Sequence, residues 1–286
     1  MSDYFVSRRD IIDERLRAIA AATDAPAPLE PALRAALTSS GKRVRGILTL
    51  AVGEAVGVRP EKLADAAAAI EMIHASSLIL DDLPAMDDAP LRRGKPANHV
   101  EFGEAIAMLA AFGLLNLAFG ALSRAYDAPL SATLSTLLSD AVGLDGLIGG
   151  QAEDLLAADQ RVSFEILERI HRGKTGALFV ASAAAGALTA GAGPDQRQWL
   201  GAFAKNLGLA FQIIDDLLDV EGNPEETGKA VRADLKKTTF VSFSGVAGAR
   251  QLAGELCQTA DRALTPFGRR ADRLRALSAF VAARRA

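Results

Sequence analysis

Cysteine is nearly absent: Cys257 is the only thiol in 286 residues. An internal disulfide is thereby excluded, and the composition fits a reducing compartment, which points to the cytoplasm. Aromatic residues make up only 5%, with one tryptophan and two tyrosines. The interior must then be filled by small aliphatic side chains, and abundant alanine favours helices in close contact. Neither sign of charge prevails, since 32 basic residues against 35 acidic ones leave a formal charge of −3. That balance argues against a general nucleic-acid binder. No run of alternating β-branched residues lies between turn signals, so few or no strands are expected. There is no low-complexity linker and no short repeat, and residues 1–13 lack an apolar signal core.

Hydrophobic residues make up 50% of the chain, enough for a large core. Helical patterns are read at 10–22, at a short segment ending at 37 after Pro26, Pro28 and Pro31, and at 47–56. One long helix is expected over 61–82, preceded by Pro60 and ended by Pro84. Further helices are expected from 103 or 104, over 131–146, over 164–191 with a break near Gly173, and over 195–220. The economical architecture is one all-α bundle spanning 1–286 as a single domain. Residues 105–122 are almost uniformly apolar and approach the length of a membrane span. No strongly basic flank marks one end, so this run is read as a core helix and no transmembrane segment is expected.

Two acidic clusters stand out: Asp81-Asp82-Leu83-Pro84-Ala85-Met86-Asp87-Asp88 and Asp215-Asp216-Leu217-Leu218-Asp219. Each closes a long apolar run. Negative charge at a helix C-terminus opposes the macrodipole, so the first cluster calls for a compensating cation. Asp215 and Asp219 stand four residues apart on one helix face, where like charges destabilise a bare helix. Hard carboxylate oxygens at such spacing suit Mg²⁺, which completes its shell with substrate phosphates. Basic groups lie between the clusters. Gly41-Lys42-Arg43-Val44-Arg45 opens a helix, an arrangement that favours phosphate. Arg92 and Arg93 follow the first cluster and can grip phosphate bidentately. His74 lies two turns before Asp81. Lys174-Thr175, Gln212, and Lys229 and Lys237 around Asp234 complete the set.

These segments, together with His-Ala-Ser-Ser-Leu-Ile-Leu before the first cluster, Leu-Arg-Arg-Gly-Lys-Pro after it, Gly-Gly-Gln-Ala-Glu-Asp-Leu at 149–155, Gly-Lys-Thr-Gly-Ala-Leu at 173–178 and Phe-Gln-Ile-Ile-Asp-Asp-Leu-Leu-Asp-Val, resemble the trans-isoprenyl diphosphate synthases. Farnesyl and geranylgeranyl diphosphate synthases belong to that family. The resemblance implies an all-helical fold around a deep central cavity, usually in a homodimer. It implies three Mg²⁺ ions, two on Asp81 and Asp87 with Asp82 beside them, and one on Asp215 supported by Asp216 and Asp219. It places Arg92, Lys174, Lys229 and Lys237 on an allylic diphosphate, and Lys42, Arg45, His74 and Arg93 on isopentenyl diphosphate. Thr175 and Gln212 would turn oxygens toward the reacting carbons. The implied reaction is a head-to-tail 1′-4 condensation.

Several positions depart from the family pattern. Gly46 stands where proline is usual, Leu80 where histidine is common, and Ala111-Phe112 where Gly-Asp is usual. Asn223 replaces a frequent aspartate and Arg232 a usual glycine. None of these removes an expected metal ligand. A class I terpene cyclase would lack the second aspartate-rich motif, and a non-catalytic partner subunit would have lost one motif. A di-iron bundle would need Glu-x-x-His pairs. The residue five before the first aspartate often floors the cavity in this family. Here it is Ser76, with Ser77 beside it, about 7–8 Å below Asp81 along the axis. Growth past C15 is expected, with Met72, Ile73 and Phe112 closing the cavity near C20, and C15 and C25 as alternatives.

Overall fold

The computed structural model describes residues 3–158, 160–221 and 238–284. Helices α1 (Asp3–Ala22), α2 (Leu29–Thr38), α3 (Val44–Val56) and α4 (Ala64–Asp81) open the chain. They are followed by α5 (Asn98–Phe102), α6 (Glu104–Ala125), α7 (Ala128–Val142), α8 (Leu147–Ala157) and α9 (Phe164–His171). Then come α10 (Ala177–Thr189), α11 (Pro194–Glu221), α12 (Phe240–Ala263) and α13 (Asp272–Ala282). The all-α expectation holds. Among the described residues the one sheet is a hairpin of β1 (Leu91–Arg92) and β2 (Lys95–Pro96), with Leu91 opposite Pro96.

The architecture grows from two helices that are buried on nearly every side. Eleven of the thirteen residues of α3 are buried, and α10 is nearly as enclosed. Such helices belong at the centre of a body rather than on its surface. They approach closely because Gly186 has no side chain: a Cβ there would lie 2.3 Å from the Thr49 carbonyl oxygen. The alanine-rich composition is thus spent on backbone proximity. Around this pair stand α4, α7 and α11, and α6 packs outside α4.

Several boundaries differ from the sequence reading. The first helix begins at Asp3, because Phe5, Ile12, Leu16 and Ile19 form a buried stripe that runs above the charged start. Pro31 falls in the first turn of α2, where its missing N–H costs nothing. The helix expected over 61–82 starts instead as a 3₁₀ turn, Pro60–Leu63; Leu63 at φ −104°, ψ −3° separates it from α4. The break near Gly173 is a single π turn, Arg172–Gly176. Helices α5, α8, α12 and α13 escaped the pattern reading altogether.

Among the described residues, two helices are long and apolar enough to cross a membrane by composition, Pro60–Asp81 and Glu104–Ala125. Of their most apolar windows, 61% and 39% of residues are buried within the body. The first is a core helix; the second leaves an apolar face outside.

The close contact of α3 with α10 has a measurable cost when disturbed. Gly186→Ala is expected to lose about 1–3 kcal/mol in urea unfolding, as overpacking does. Gly254→Ala in α12, where nothing lies within 4 Å of the added methyl, is expected to gain about 0.4–1 kcal/mol. Equal effects at the two positions would contradict the packing argument.

Candidate active site

Four segments deliver the polar groups: the end of α4 with its following loop and hairpin, the start of α3, the π turn, and α11. At the end of α4 the chain curls back, and the Asp87 amide donates to the Asp81 carbonyl at 2.9 Å. Burial raises the Asp81 carboxyl above its usual range; Lys174 and Arg92 oppose this, while Asp87 and Asp82 add to it. Asp82 is directed differently. It is 3% exposed and takes two contacts from Arg92 Nε, at 2.9 and 3.1 Å, with Arg92 Nη2 closing the fork.

The hairpin explains how adjacent arginines serve separate places. Its turn is Arg93-Gly94, at φ 55° and 74°, a pair of left-handed residues as a two-residue I′ turn requires. Arg92 reaches Asp82, while Arg93 donates to the Ser40 carbonyl beside the start of α3.

At that start, Arg43 caps α3 in the left-handed conformation, φ 50°, ψ 36°. Its guanidinium turns inward to Asp13 at 2.8 Å and the Ser39 carbonyl at 2.6 Å. Lys42 stays exposed, and partial burial followed by Arg284 lowers the pKa of its ammonium. Arg45 is 9% exposed and spans the site. Its Nη1 lies 3.2 Å from His74 Nε2, and its guanidinium sits 5.0 Å from the Phe179 ring centroid and 5.9 Å from that of Phe211. Arg45 has only N–H donors, so His74 Nε2 must accept, and the imidazole is neutral. Burial, then Arg45, holds its pKa well below the ordinary value.

The π turn and α11 form one chain of hydrogen bonds. Thr175 Oγ1 donates to Gln212 Oε1 at 2.8 Å, Gln212 Nε2 donates to Asp216 Oδ1 at 3.0 Å, and the Phe240 amide donates to Asp216 Oδ2 at 3.0 Å. Asp216 is buried, whereas Asp215 and Asp219 are half-buried on α11. Lys174 is paired with Asp154 of α8 at 2.7 Å. Sequence reading passed over Asp154, although the 149–155 segment had been marked as part of the family pattern. Gly150 makes that pairing possible, since a Cβ would meet the Lys174 amide nitrogen at 2.2 Å. Sequence reading also missed Arg284, which lies 2.8 Å from Asp215.

The residues expected to set chain length divide. Ser76 and Ile73 are buried, and Ser76 Oγ donates to the Ala111 carbonyl on α6 at 2.8 Å. The half-open stripe of α4 is His74, Ser77, Leu78 and Asp81. Phe112 does not close the cavity as expected; it is 64% exposed, because Ala111 occupies the inward face of α6 at that level. Lys229, Lys237, Asn223 and Arg232 lie outside the described residues.

No group of three or more His, Cys, Asp or Glu side chains converges on one point among the described residues. The donors nonetheless suit magnesium: carboxylates on two helix ends, Asp81 raised by its own burial, and cations beside them for the phosphates that would complete the shell.

This combination of helical body, paired acidic helix ends and intervening cations defines a class of synthases that handle diphosphates. The family pattern described as polyprenyl synthetase matches residues 26–258, and the chain belongs to that family. It is 43% identical to the farnesyl diphosphate synthase of Haemophilus influenzae, over 91% of this chain and 90% of that one. It is 40% identical to the mitochondrial geranylgeranyl pyrophosphate synthase 10 of Arabidopsis thaliana, over 88% of this chain and 76% of the relative. Among solved structures, the FPP/GFPP synthase of Zymomonas mobilis superposes with a TM-score of 0.88 at 36% identity, covering 98% of this chain and 99% of that one. The protein is a prenyltransferase of the trans-prenyl diphosphate synthases.

The neutral state of His74 has a pH consequence. Its folded pKa lies below the unfolded value of about 6.5, so the stability it contributes is present above that pH and lost as pH falls. His74→Gln is expected to flatten the loss of unfolding free energy between about pH 7.5 and 5.5. An unchanged slope would mean that His74 takes up protons alike in the folded and unfolded chain.

Proposed function

We propose that this enzyme condenses isopentenyl diphosphate with allylic diphosphates, head to tail, and releases geranylgeranyl diphosphate, C20. The observation that supports the reading is Arg45, buried between His74 on one acidic helix and Phe211 on the other, so that one cation links the helix ending in Asp81 to the helix carrying Asp215. In this reading Asp81 and Asp87 hold two magnesium ions, and Asp215 with Asp219 holds a third. Asp82 and Asp216, grouped with them on sequence alone, act one step back: Asp82 fixes Arg92, and Asp216 fixes Gln212. Bound magnesium supplies positive charge that withdraws electrons from the departing diphosphate.

Arg92 and Lys174, joined by Lys229 and Lys237, grip the allylic diphosphate as its C1′–O bond breaks. Charge then moves onto the leaving oxygens, where fixed cations stabilise it most. Lys42, Arg45, His74 and Arg93 hold isopentenyl diphosphate so that its C4 faces the allylic cation. The C4–C1′ bond forms, and the proton at C2 leaves to the released diphosphate. Thr175 Oγ1 and Gln212 Oε1 present oxygens to the cation, locked by the chain of bonds that ends at the Phe240 amide. Water must be kept out, because it would capture the cation.

The C20 assignment is supported by the open stripe of α4, where only Ser77 and Leu78 lie between His74 and Asp81 and neither is aromatic. C15 is the second reading, favoured by the farnesyl diphosphate synthases among the relatives. A homodimer is supported by the outward stripe of α6, Met108, Leu109 and Phe112, and by exposed Leu144, Ile148 and Leu156 at and just before α8. A patch of that kind is expected to be covered in solution. The cytoplasm is the proposed location, on the single buried thiol.

Purified protein given isopentenyl diphosphate and each allylic primer tests the reaction, with products separated by chain length. Asp81→Ala and Asp215→Ala are expected to cut turnover by several orders of magnitude while the fold persists; near-normal activity in either would sink the three-metal reading. The wild type is expected to stop at C20. Ser77→Phe and Ser76→Phe are expected to shorten the product to C15, the latter also losing stability because α6 rests on Ser76. A wild-type product of C15 alone would refute the small-floor argument. Sedimentation of Phe112→Asp is expected to show monomer, and an unchanged species would remove α6 from the interface.

A further inference from the structure

Beyond the assigned groups, one cation stands on an expected metal ligand. Arg284, in the segment just after α13, places Nη1 2.8 Å from Asp215 Oδ1. Its side chain is 11% exposed, against 37% for Asp215. The guanidinium lies 4.1 Å from the Phe211 ring centroid, a stacking distance for a cation on an aromatic face. Its Nε and Nη1 make no hydrogen bond, so the link to Asp215 is a charge contact without donor alignment. Lys42 and Arg45 are close enough to feel its charge. A third positive group in a corner that already holds two is unfavourable unless Asp215 balances it.

We infer that Arg284 is a resident counter-ion for Asp215 that competes with an incoming metal ion, so that Arg284 tunes the metal affinity of the second aspartate cluster. The inference rests on Asp215 being a metal ligand. A guanidinium and a divalent cation held by one carboxylate repel one another, and each draws on the same negative charge. The two therefore compete for Asp215, and the Arg284 contact weakens a metal ion's hold on it. Two features make exchange feasible. The contact lacks hydrogen-bond alignment, which leaves less to break. A cavity of about 280 Å³ lined by Ile214, Leu217, Ala282 and Arg284 itself lies beside the contact and gives the side chain room to withdraw. Before metal arrives, the same contact holds α11 to the end of α13 and neutralises a carboxylate set among apolar neighbours.

The test is calorimetric titration of the intact protein with Mg²⁺ in the presence of inorganic diphosphate, supported by Mn²⁺ binding followed by electron paramagnetic resonance. Arg284→Ala and Arg284→Gln are expected to tighten the Asp215-dependent metal site, on the order of fivefold for loss of a partly exposed ion pair. The rise in melting temperature caused by metal plus diphosphate is expected to grow, because the metal-free form has lost its internal cation. Arg284→Lys, which keeps the charge and serves if the neutral variants fold poorly, is expected to stay near wild type. Asp215→Asn separates the two ideas. If it leaves metal binding unchanged, the metal reading and this inference fall together. If it abolishes one site while the Arg284 variants bind metal no more tightly than wild type, the competition idea alone is overturned.

Discussion

Burial of Arg45 is the constraint around which the site is arranged. A guanidinium cannot shed its proton, so it must be met by acceptors and π faces wherever it is enclosed. Here His74 supplies the acceptor, and Phe179 and Phe211 supply the faces. Those three residues belong to α4, α10 and α11. One cation therefore ties the helix that ends in Asp81 to the helix that carries Asp215. The same contact fixes the tautomer of His74 and adds to the burial that lowers that imidazole's affinity for a proton.

The remaining charges are balanced by the same logic, pair by pair. Arg92 lies on Asp82, Lys174 on Asp154 and Arg284 on Asp215. In the proposed reading the site binds two diphosphates and needs many cations, and those cations repel one another. Carboxylates from three different helices hold them apart. The aligned pair of Arg92 with Asp82 gives rigidity, while the Arg284 contact, which lacks hydrogen-bond alignment, gives a member that can be exchanged.

Much of this was legible in the sequence, because the informative residues are polar groups interrupting apolar runs. Asp81, Asp87, Asp215 and the basic set announce themselves by breaking helical patterns at unfavourable places. The long helix that carries Asp81 was legible too, since Pro60 precedes it and Pro84 follows it. What stayed hidden depends on partners distant in the chain. Asp82 and Asp216 look like their neighbours in sequence, and only the reach of Arg92 and the Phe240 amide tells them apart. Phe112 was misread because an all-apolar helix gives no sign of which face turns inward; Ala111 holds that face simply by being smaller. Arg284 sits 69 positions from Asp215, and nothing in its neighbourhood marks it. Helix α8 begins in a glycine-rich stretch whose small residues serve its contact with the π turn, so composition pointed to a loop.

Gly46 shows how a departure from the family pattern is absorbed. Its amide donates to Glu71 Oε1 at 2.8 Å, a bond that a proline at this position could not make. Glu71 is 4% exposed and has Arg43 3.8 Å away on its other oxygen. A buried carboxylate needs such donors, since an unpaired one is costly. A Cβ at position 46 would meet Ile12 Cδ1 at 2.8 Å and Glu71 Cγ at 3.1 Å, so α1 and α4 have closed in on the space that glycine leaves. The first turn of α3 is thereby pinned from both sides, by Arg43 to Asp13 and by Gly46 to Glu71. Arg45 lies between those two anchors in the chain. The direction in which it enters the site is set by a glycine amide and a left-handed arginine, neither of which touches the reacting groups.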